Sequence, residues 1–140
     1  MADDDASFRH VVTAILAEDD DIDIVGQAGD GALAIALAVG CAPDVVLLDL
    51  YMPDGGVAAV RAIHRQVPTT KVVILSSSDN DDDIYEALKA GASGYVLKSA
   101  SLDELGSVVR AMSRGVGLFL SPAIASRVLE EFDHGSDGPV

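Results

Sequence analysis

Hydrophobic positions along the chain switch repeatedly between two spacings. Phe8, Val11, Val12, Ile15 and Leu16 recur at three- and four-residue intervals, which predicts an amphipathic helix. Ile22, Ile24 and Val25 form a short β-like run before a turn at Gly29-Asp30-Gly31, and an Ala/Leu-rich helix then ends near Gly40. Val45-Val46-Leu47-Leu48 is a continuous apolar run, the pattern of a strand covered on both faces, and Val57, Val60, Ile63 and Val67 return to helical spacing. The pair of signals repeats. Val72-Val73-Ile74-Leu75 predicts a second buried strand, Ile84 and Leu88 lie on a helix leading to Gly91, and Tyr95-Val96-Leu97 predicts a last short strand. Ser101 and Glu104 have capping-box spacing before a helix whose Leu102, Leu105, Val108, Val109 and Met112 share one face. After a glycine-containing connection, Ser121-Pro122 predicts an N-cap and first helical residue, with Ala125, Val128, Leu129 and Phe132 as its apolar stripe. The expected organisation is a main domain over 1–120, a C-terminal helix over 121–133 leading to a linker, and a disordered tail over 134–140.

Strands separated by helices imply parallel β-α units, because parallel neighbours need a crossover connection. Ligands in such sheets gather beyond the carboxyl ends of the strands. Asp49, Ser76 and Lys98 each stand just past a predicted buried strand, so three reactive side chains are expected on one edge.

Composition narrows this α/β reading. At 140 residues the chain suits one domain. Hydrophobic residues make up 49% and aromatics only 4%, so Val, Ile, Leu and Ala must build the core. A formal charge of −14 repels phosphate backbones and anionic lipid, which argues against nucleic-acid or membrane contact by this segment and favours cationic partners and metal ions. The single Cys41 cannot form an internal disulfide, and no apolar run has the length of a membrane span or the layout of a signal peptide. A reducing cytoplasm is the expected compartment.

The predicted edge has a definite chemistry. A carboxylate fixed at a strand end, as Asp49 is before Leu50-Tyr51-Met52-Pro53, can accept a phosphoryl group as an acyl phosphate if cations neutralise the transferring oxygens. Lys98 can be one cation and Mg²⁺ another, since Mg²⁺ takes one or two carboxylates together with water and phosphate oxygens. Aspartates just before the first helix would project onto the same edge if a strand preceded them, which gives Asp3-Asp4-Asp5 a possible role. The hydroxyl of Ser76 can bond a phosphoryl oxygen in the modified state alone, the basis of a switch.

Taken in order, the acidic cluster Asp3-Asp4-Asp5, the segment PDVVLLDLYMP holding Asp49, Ser76 after VVIL, and AGASGYVLK ending in Lys98 resemble the receiver domain of two-component response regulators. The resemblance spans nearly the whole chain. It implies a flavodoxin-like doubly wound parallel sheet, with Asp49 as phosphoacceptor and Asp3 and Asp4 as the acidic pair at a Mg²⁺ site. The backbone carbonyl of Tyr51 would be a further ligand, Asp4 the more direct ligand of the pair, Ser76 the switch hydroxyl and Lys98 the phosphate-contacting lysine. Tyr95 is either a core aromatic or a rotating reporter of phosphorylation. A sensor histidine kinase is the implied partner, with a homodimer or downstream protein receiving the signal. VGQAGDG and GLFLSP look most like the subgroup carrying a LuxR-type helix-turn-helix, and no such DNA-binding module is legible within these residues. Two departures stand out. Ser99 follows Lys98 where proline is common, and Met1-Ala2 stand where the family has a whole central strand. The first strand is therefore expected to be absent, supplied by a neighbouring chain, or cut off by the choice of start.

Other readings weigh less. The acidic run Glu18–Asp21 is a solvated loop, and Asp79–Asp83 fails as a calcium loop because Ile84 and Ala90 take the required glycine and glutamate positions. His10, His64 and His134 lack partners at metal-ligand spacing, and Gly29-x-Gly31 lacks a dinucleotide fingerprint. A phosphohydrolase would need a second aspartate where Tyr51 stands. The rival from another class is a pseudo-receiver that docks proteins without phosphorylation, and a third possibility is the regulatory part of a truncated DNA-binding transcriptional regulator.

Overall fold

In the computed structural model, residues 1–99 and 102–136 are described, with side chains through residue 130. Helix α1 (Ala6–Ala17) and helix α2 (Gly31–Cys41) precede strand β1 (Val45–Leu48). Helix α3 (Gly56–Gln66), strand β2 (Lys71–Ser76), helix α4 (Asp81–Ala90) and strand β3 (Gly94–Leu97) follow, then a 3₁₀ turn (Leu102–Glu104) running into helix α5 (Leu105–Ser113), strand β4 (Phe119–Leu120) and helix α6 (Pro122–Ser136). The sheet is parallel throughout, in the order β1-β2-β3-β4, with Leu48 opposite Ile74 and Ser76 opposite Leu97.

The continuous apolar runs work because successive side chains on a strand point to opposite faces. Val46, Leu48, Val72, Ile74 and Tyr95 enter one core layer against α2, α3, α4 and α6. Leu47, Val73, Leu75 and Val96 enter the other, against Val12 and Leu16 of α1 and Leu105, Val108 and Met112 of α5. Both faces are thus covered, as the apolar runs predict, and the architecture is flavodoxin-like.

The slot of the expected first strand is only partly filled. Ala2 bridges in parallel to both Ala28 and Leu48. The Ala2 N–H donates to the Leu47 carbonyl at 2.8 Å, and the Ala2 carbonyl accepts from the Asp49 N–H at 2.8 Å. Ala28 donates to Met1, and Asp3 donates back to Ala28, each at 3.0 Å. Met1–Asp3 therefore form one rung of a central strand, between Ala28 and Leu48. The run Ile22-Ile24-Val25 consequently makes no ladder; Ala28 carries its one bridge, and Val25 remains 57% exposed. The expected strand there fails for want of a neighbour, not for want of β-forming residues.

Smaller differences have local causes. Tyr95-Val96-Leu97 is not the last strand, because Phe119-Leu120 in the connection pairs with Gly94-Tyr95. Ser101 of the expected capping box lies outside the described residues, and Glu104 makes no side-chain cap bond as the chain passes from the 3₁₀ turn into α5. The buried face of α6 is offset by one position: Ile124 is fully buried and Val128 partly so, while Leu129 is exposed. Phe132 and His134 have no described side chains. Helix α6 runs to Ser136, three residues into the segment read as a tail, and 137–140 lie outside the described residues.

Candidate functional site

The three aspartates near the N-terminus have three different surroundings. Asp5 caps α1, its side chain accepting from the Ser7 and Phe8 N–H groups at 3.0 and 3.1 Å. Asp3 is fully buried, with Oδ1 accepting from the Asp5 N–H at 2.9 Å. Asp4, between them, is exposed. The Ala2 rung and the α1 cap together fix where Asp3 and Asp4 leave the sheet.

Asp49 leaves β1 at the same edge and is 5% exposed. Its Oδ1 accepts from the Tyr51 N–H at 3.3 Å, an Asx-type bond that turns the chain out of the strand. Asp3, Asp4 and Asp49 can each offer one oxygen within 4.8 Å of the others. Burial, reinforced by the neighbouring Asp3 charge, pushes the Asp49 carboxyl above the ordinary carboxylate range; Lys98 and the Tyr51 N–H pull against that rise.

Lys98 is placed by its own backbone, whose N–H donates to the Ser76 carbonyl at 2.7 Å. Its Nζ lies 2.7 Å from Asp3 Oδ2 and 3.6 Å from Asp49 Oδ2, and the ammonium sits over the Phe8 ring, 4.4 Å from the centroid. Ser76 is fully buried at the end of β2, its Oγ accepting from the Ser78 N–H at 3.1 Å. Three carboxylates with one ammonium leave excess negative charge. Asp3 Oδ2 is buried and has no aligned hydrogen bond. An all-oxygen donor set with such an atom fits a hard divalent cation such as Mg²⁺.

The rim of the site is held by bonds that the sequence did not announce. The hydroxyl of Tyr51 donates to Asp83 of α4, and Ser78 Oγ donates to the same carboxylate oxygen at 2.7 Å. Tyr95 is fully buried and its hydroxyl donates to the Ser78 carbonyl at 2.8 Å. Asp54 accepts from the Gly31 and Ala32 N–H groups at 2.7 and 2.9 Å, tying the loop after Asp49 to the start of α2. Arg9 donates to the Asp3 carbonyl at 2.6 Å. Charged residues in helix first turns were the available signal for Arg9 and Asp83, but their partners lie in other elements. His10 and His64 are exposed, and Cys41 is free and exposed.

Residues 1–110 match the response regulator receiver domain. The chain belongs to this receiver family. Among its relatives, the transcriptional regulatory protein LiaR of Bacillus subtilis is 34% identical over 98% of this chain and 65% of its own length. The oxygen regulatory protein NreC of Staphylococcus carnosus is 36% identical over 94% of this chain and 61% of its own. A two-component response regulator of the LuxR family from Aurantimonas superposes with a TM-score of 0.87 at 30% identity, covering 94% of each chain. The signal receiver domain of a NarL response regulator from Mycobacterium tuberculosis gives 0.78 at 34% identity, over 81% of this chain and 93% of that one. The receiver chain spans about three-fifths of the length of the curated relatives it matches. These relatives bear out the subgroup resemblance drawn from VGQAGDG and GLFLSP. Among the described residues, no helix of this receiver is long and apolar enough to cross a membrane.

Proposed function

We propose that Asp49 accepts a phosphoryl group from the phosphohistidine of a sensor histidine kinase, and that the modified domain changes its affinity for a protein partner. The observation that carries this reading is the position of the Asp49 carboxylate, 3.6 Å from the Lys98 ammonium and beside the Asp3 and Asp4 carboxylates at the sheet's carboxyl edge. In the transfer, a carboxylate oxygen of Asp49 forms the new P–O bond, the P–N bond of the donor breaks, and the departing imidazole keeps the electron pair. Lys98 offsets charge on the incoming phosphoryl oxygens and Ser76 Oγ hydrogen-bonds one of them, contacts that exist in the phosphorylated state and bias the equilibrium toward it.

Asp3, Asp4, Asp49 and the Tyr51 carbonyl are the groups that would hold Mg²⁺. The ion, when bound, supplies charge neutralisation that a single lysine leaves incomplete. The domain's own catalytic contribution is confined to weak self-phosphorylation from small acyl phosphates and slow hydrolysis of the product. The family and the length of the relatives support a place in transcriptional regulation, with DNA contact made by a different module and a cytoplasmic location.

Acetyl phosphate with MgCl₂, followed by intact mass, tests this. The wild type gains one phosphoryl increment and Asp49→Asn gains none. No increment under any divalent-metal condition assigns the chain instead to the pseudo-receivers.

A further inference from the structure

The start of α4 is tied on one side to the Asp49 edge and on the other to α6. Ser78 makes the first connection. Its N–H donates to Ser76 Oγ at 3.1 Å, while its own Oγ accepts from the Asn80 N–H at 3.1 Å and donates to Asp83 at 2.7 Å. Asn80 in turn caps α4, accepting from the Asp82 N–H at 2.9 Å. A displacement of Ser76 is therefore passed through Ser78 to the cap and first turn of the helix. Arg127 of α6 makes the second connection: its Nε donates to Asp81 Oδ1 at 2.9 Å, and its Nη1 lies 3.6 Å from Asp79 Oδ2. Asp79 and Asp81 flank Asn80, so the two connections meet within residues 79–83. Behind the ion pairs, fully buried Ile124 and partly buried Val128 pack into the core layer that holds Ile84, Ala87 and Tyr95.

We propose that α6 is a latch on α4 that loosens when Asp49 is phosphorylated, with Ser78 as the relay. The inference rests on the phosphoacceptor reading. Two effects act in the same direction. In bonding a phosphoryl oxygen, Ser76 Oγ moves toward Asp49 and draws the Ser78 N–H with it, which takes Ser78 Oγ away from Asp83 and from the Asn80 N–H. The phosphoryl group also brings roughly one additional negative charge to the edge that Asp83 reaches through Tyr51, and like charges repel. Both displace the first turn of α4, so that Asp79 and Asp81 withdraw from Arg127. An exposed ion pair of this kind holds α6 by a factor of only about 2 to 5, so a small displacement is enough to shift the population of undocked helix. Undocking bares the apolar side of α4 that packs with Ile124, a surface open to a protein partner in the phosphorylated state alone.

Hydrogen exchange read by mass spectrometry over residues 121–130 of the full chain tests this. With acetyl phosphate and MgCl₂ present, chains that carry the phosphoryl increment are expected to exchange these amides about 2-fold faster or more than unmodified chains. An increment with unchanged or slower exchange would overturn the latch and leave the phosphoacceptor reading standing, whereas absence of the increment overturns that reading and the latch with it. Ser78→Ala is expected to take up the increment while exchange over 121–130 no longer responds, and a full response in that variant would remove Ser78 as the relay. Coupling between two sites is reciprocal. Arg127→Gln is therefore expected to bind beryllium fluoride with Mg²⁺, a reversible phosphoryl mimic, about 2- to 5-fold more tightly than wild type, with Asp81→Asn giving the same gain and the double variant no more. Unchanged affinity in both single variants would show that α6 and the Asp49 edge are not coupled.

Discussion

Lys98 Nζ lies 2.7 Å from Oδ2 of Asp3, a carboxylate with no solvent exposure, and stands farther from Asp49, at 3.6 Å. The lysine thus holds the buried acid that a divalent ion would also claim, while remaining near the proposed phosphoacceptor. Its two roles have opposite signs. Lys98→Ala is expected to lower the rate of phosphorylation by acetyl phosphate about 100-fold, the scale of removing one charge-stabilising donor. Mg²⁺ affinity, measured by titration calorimetry, should rise in the same variant because a competing cation has gone. Unchanged phosphorylation would remove Lys98 from the chemistry.

Asp49 titrates above its ordinary value of 3.8, first because it is buried and second because Asp3 repels its charge. A carboxyl raised in the folded state favours folding when protonated. That contribution is complete below the unfolded value and is lost as pH rises through the raised one. Asp49→Asn, which stays neutral, should therefore be more stable than wild type at pH 7 without Mg²⁺, by about 1 kcal/mol, an ordinary single-residue effect. Urea midpoints should converge as pH falls through the raised value. A constant gap at all pH values would show that ionisation of Asp49 is not its source.

Most of this site was legible because strand ends are easy to locate. Four apolar residues before Asp49, and comparable runs before Ser76 and Lys98, fix the edge on which each emerges, and parallel pairing then brings the three edges together. Pairings between distant elements left no comparable trace. Asp54 looks like any turn aspartate until its two bonds to α2 are seen, and Asp83 looks like a helix-dipole residue until Tyr51 and Ser78 converge on it. The run at 22–25 shows the reverse failure. Its residues favour a strand, but pairing depends on a neighbour that Met1–Asp3 supply for one rung.

Gly56 opens α3 where the loop after Asp49 turns back on itself. Its N–H donates to the Leu50 carbonyl at 3.1 Å, and a Cβ built there would sit 2.2 Å from that same oxygen. The obstructing atom is backbone, so a rotamer change cannot relieve the clash. Gly56→Ala is expected to cost about 2–4 kcal/mol by urea denaturation, in the range of overpacking and backbone strain. It should also slow phosphorylation, because Leu50 adjoins Asp49. A loss within a few tenths of a kcal/mol would mean that the loop has another conformation available.

Asp54 closes the other end of that loop. Its bonds from Gly31 and Ala32, with Asp30 accepting from Leu33 at 2.8 Å, satisfy three of the four N–H groups that the start of α2 leaves without helical partners. The Gly31 bond first, then the Ala32 bond, hold the Asp54 carboxyl below its ordinary 3.8. A lowered carboxyl stabilises the fold above the unfolded value, and the benefit disappears as pH falls through the lowered one. Asp54→Ala should therefore melt below wild type at pH 7, and the difference should shrink only below pH 3.8 or so, in the acid range where Asp54 protonates. Amide exchange at Gly31 and Ala32 should accelerate in the variant while Leu33, held by Asp30, stays protected. Equal acceleration at all three amides would indicate that α2 frays as a unit and that Asp54 does not act through its two bonds.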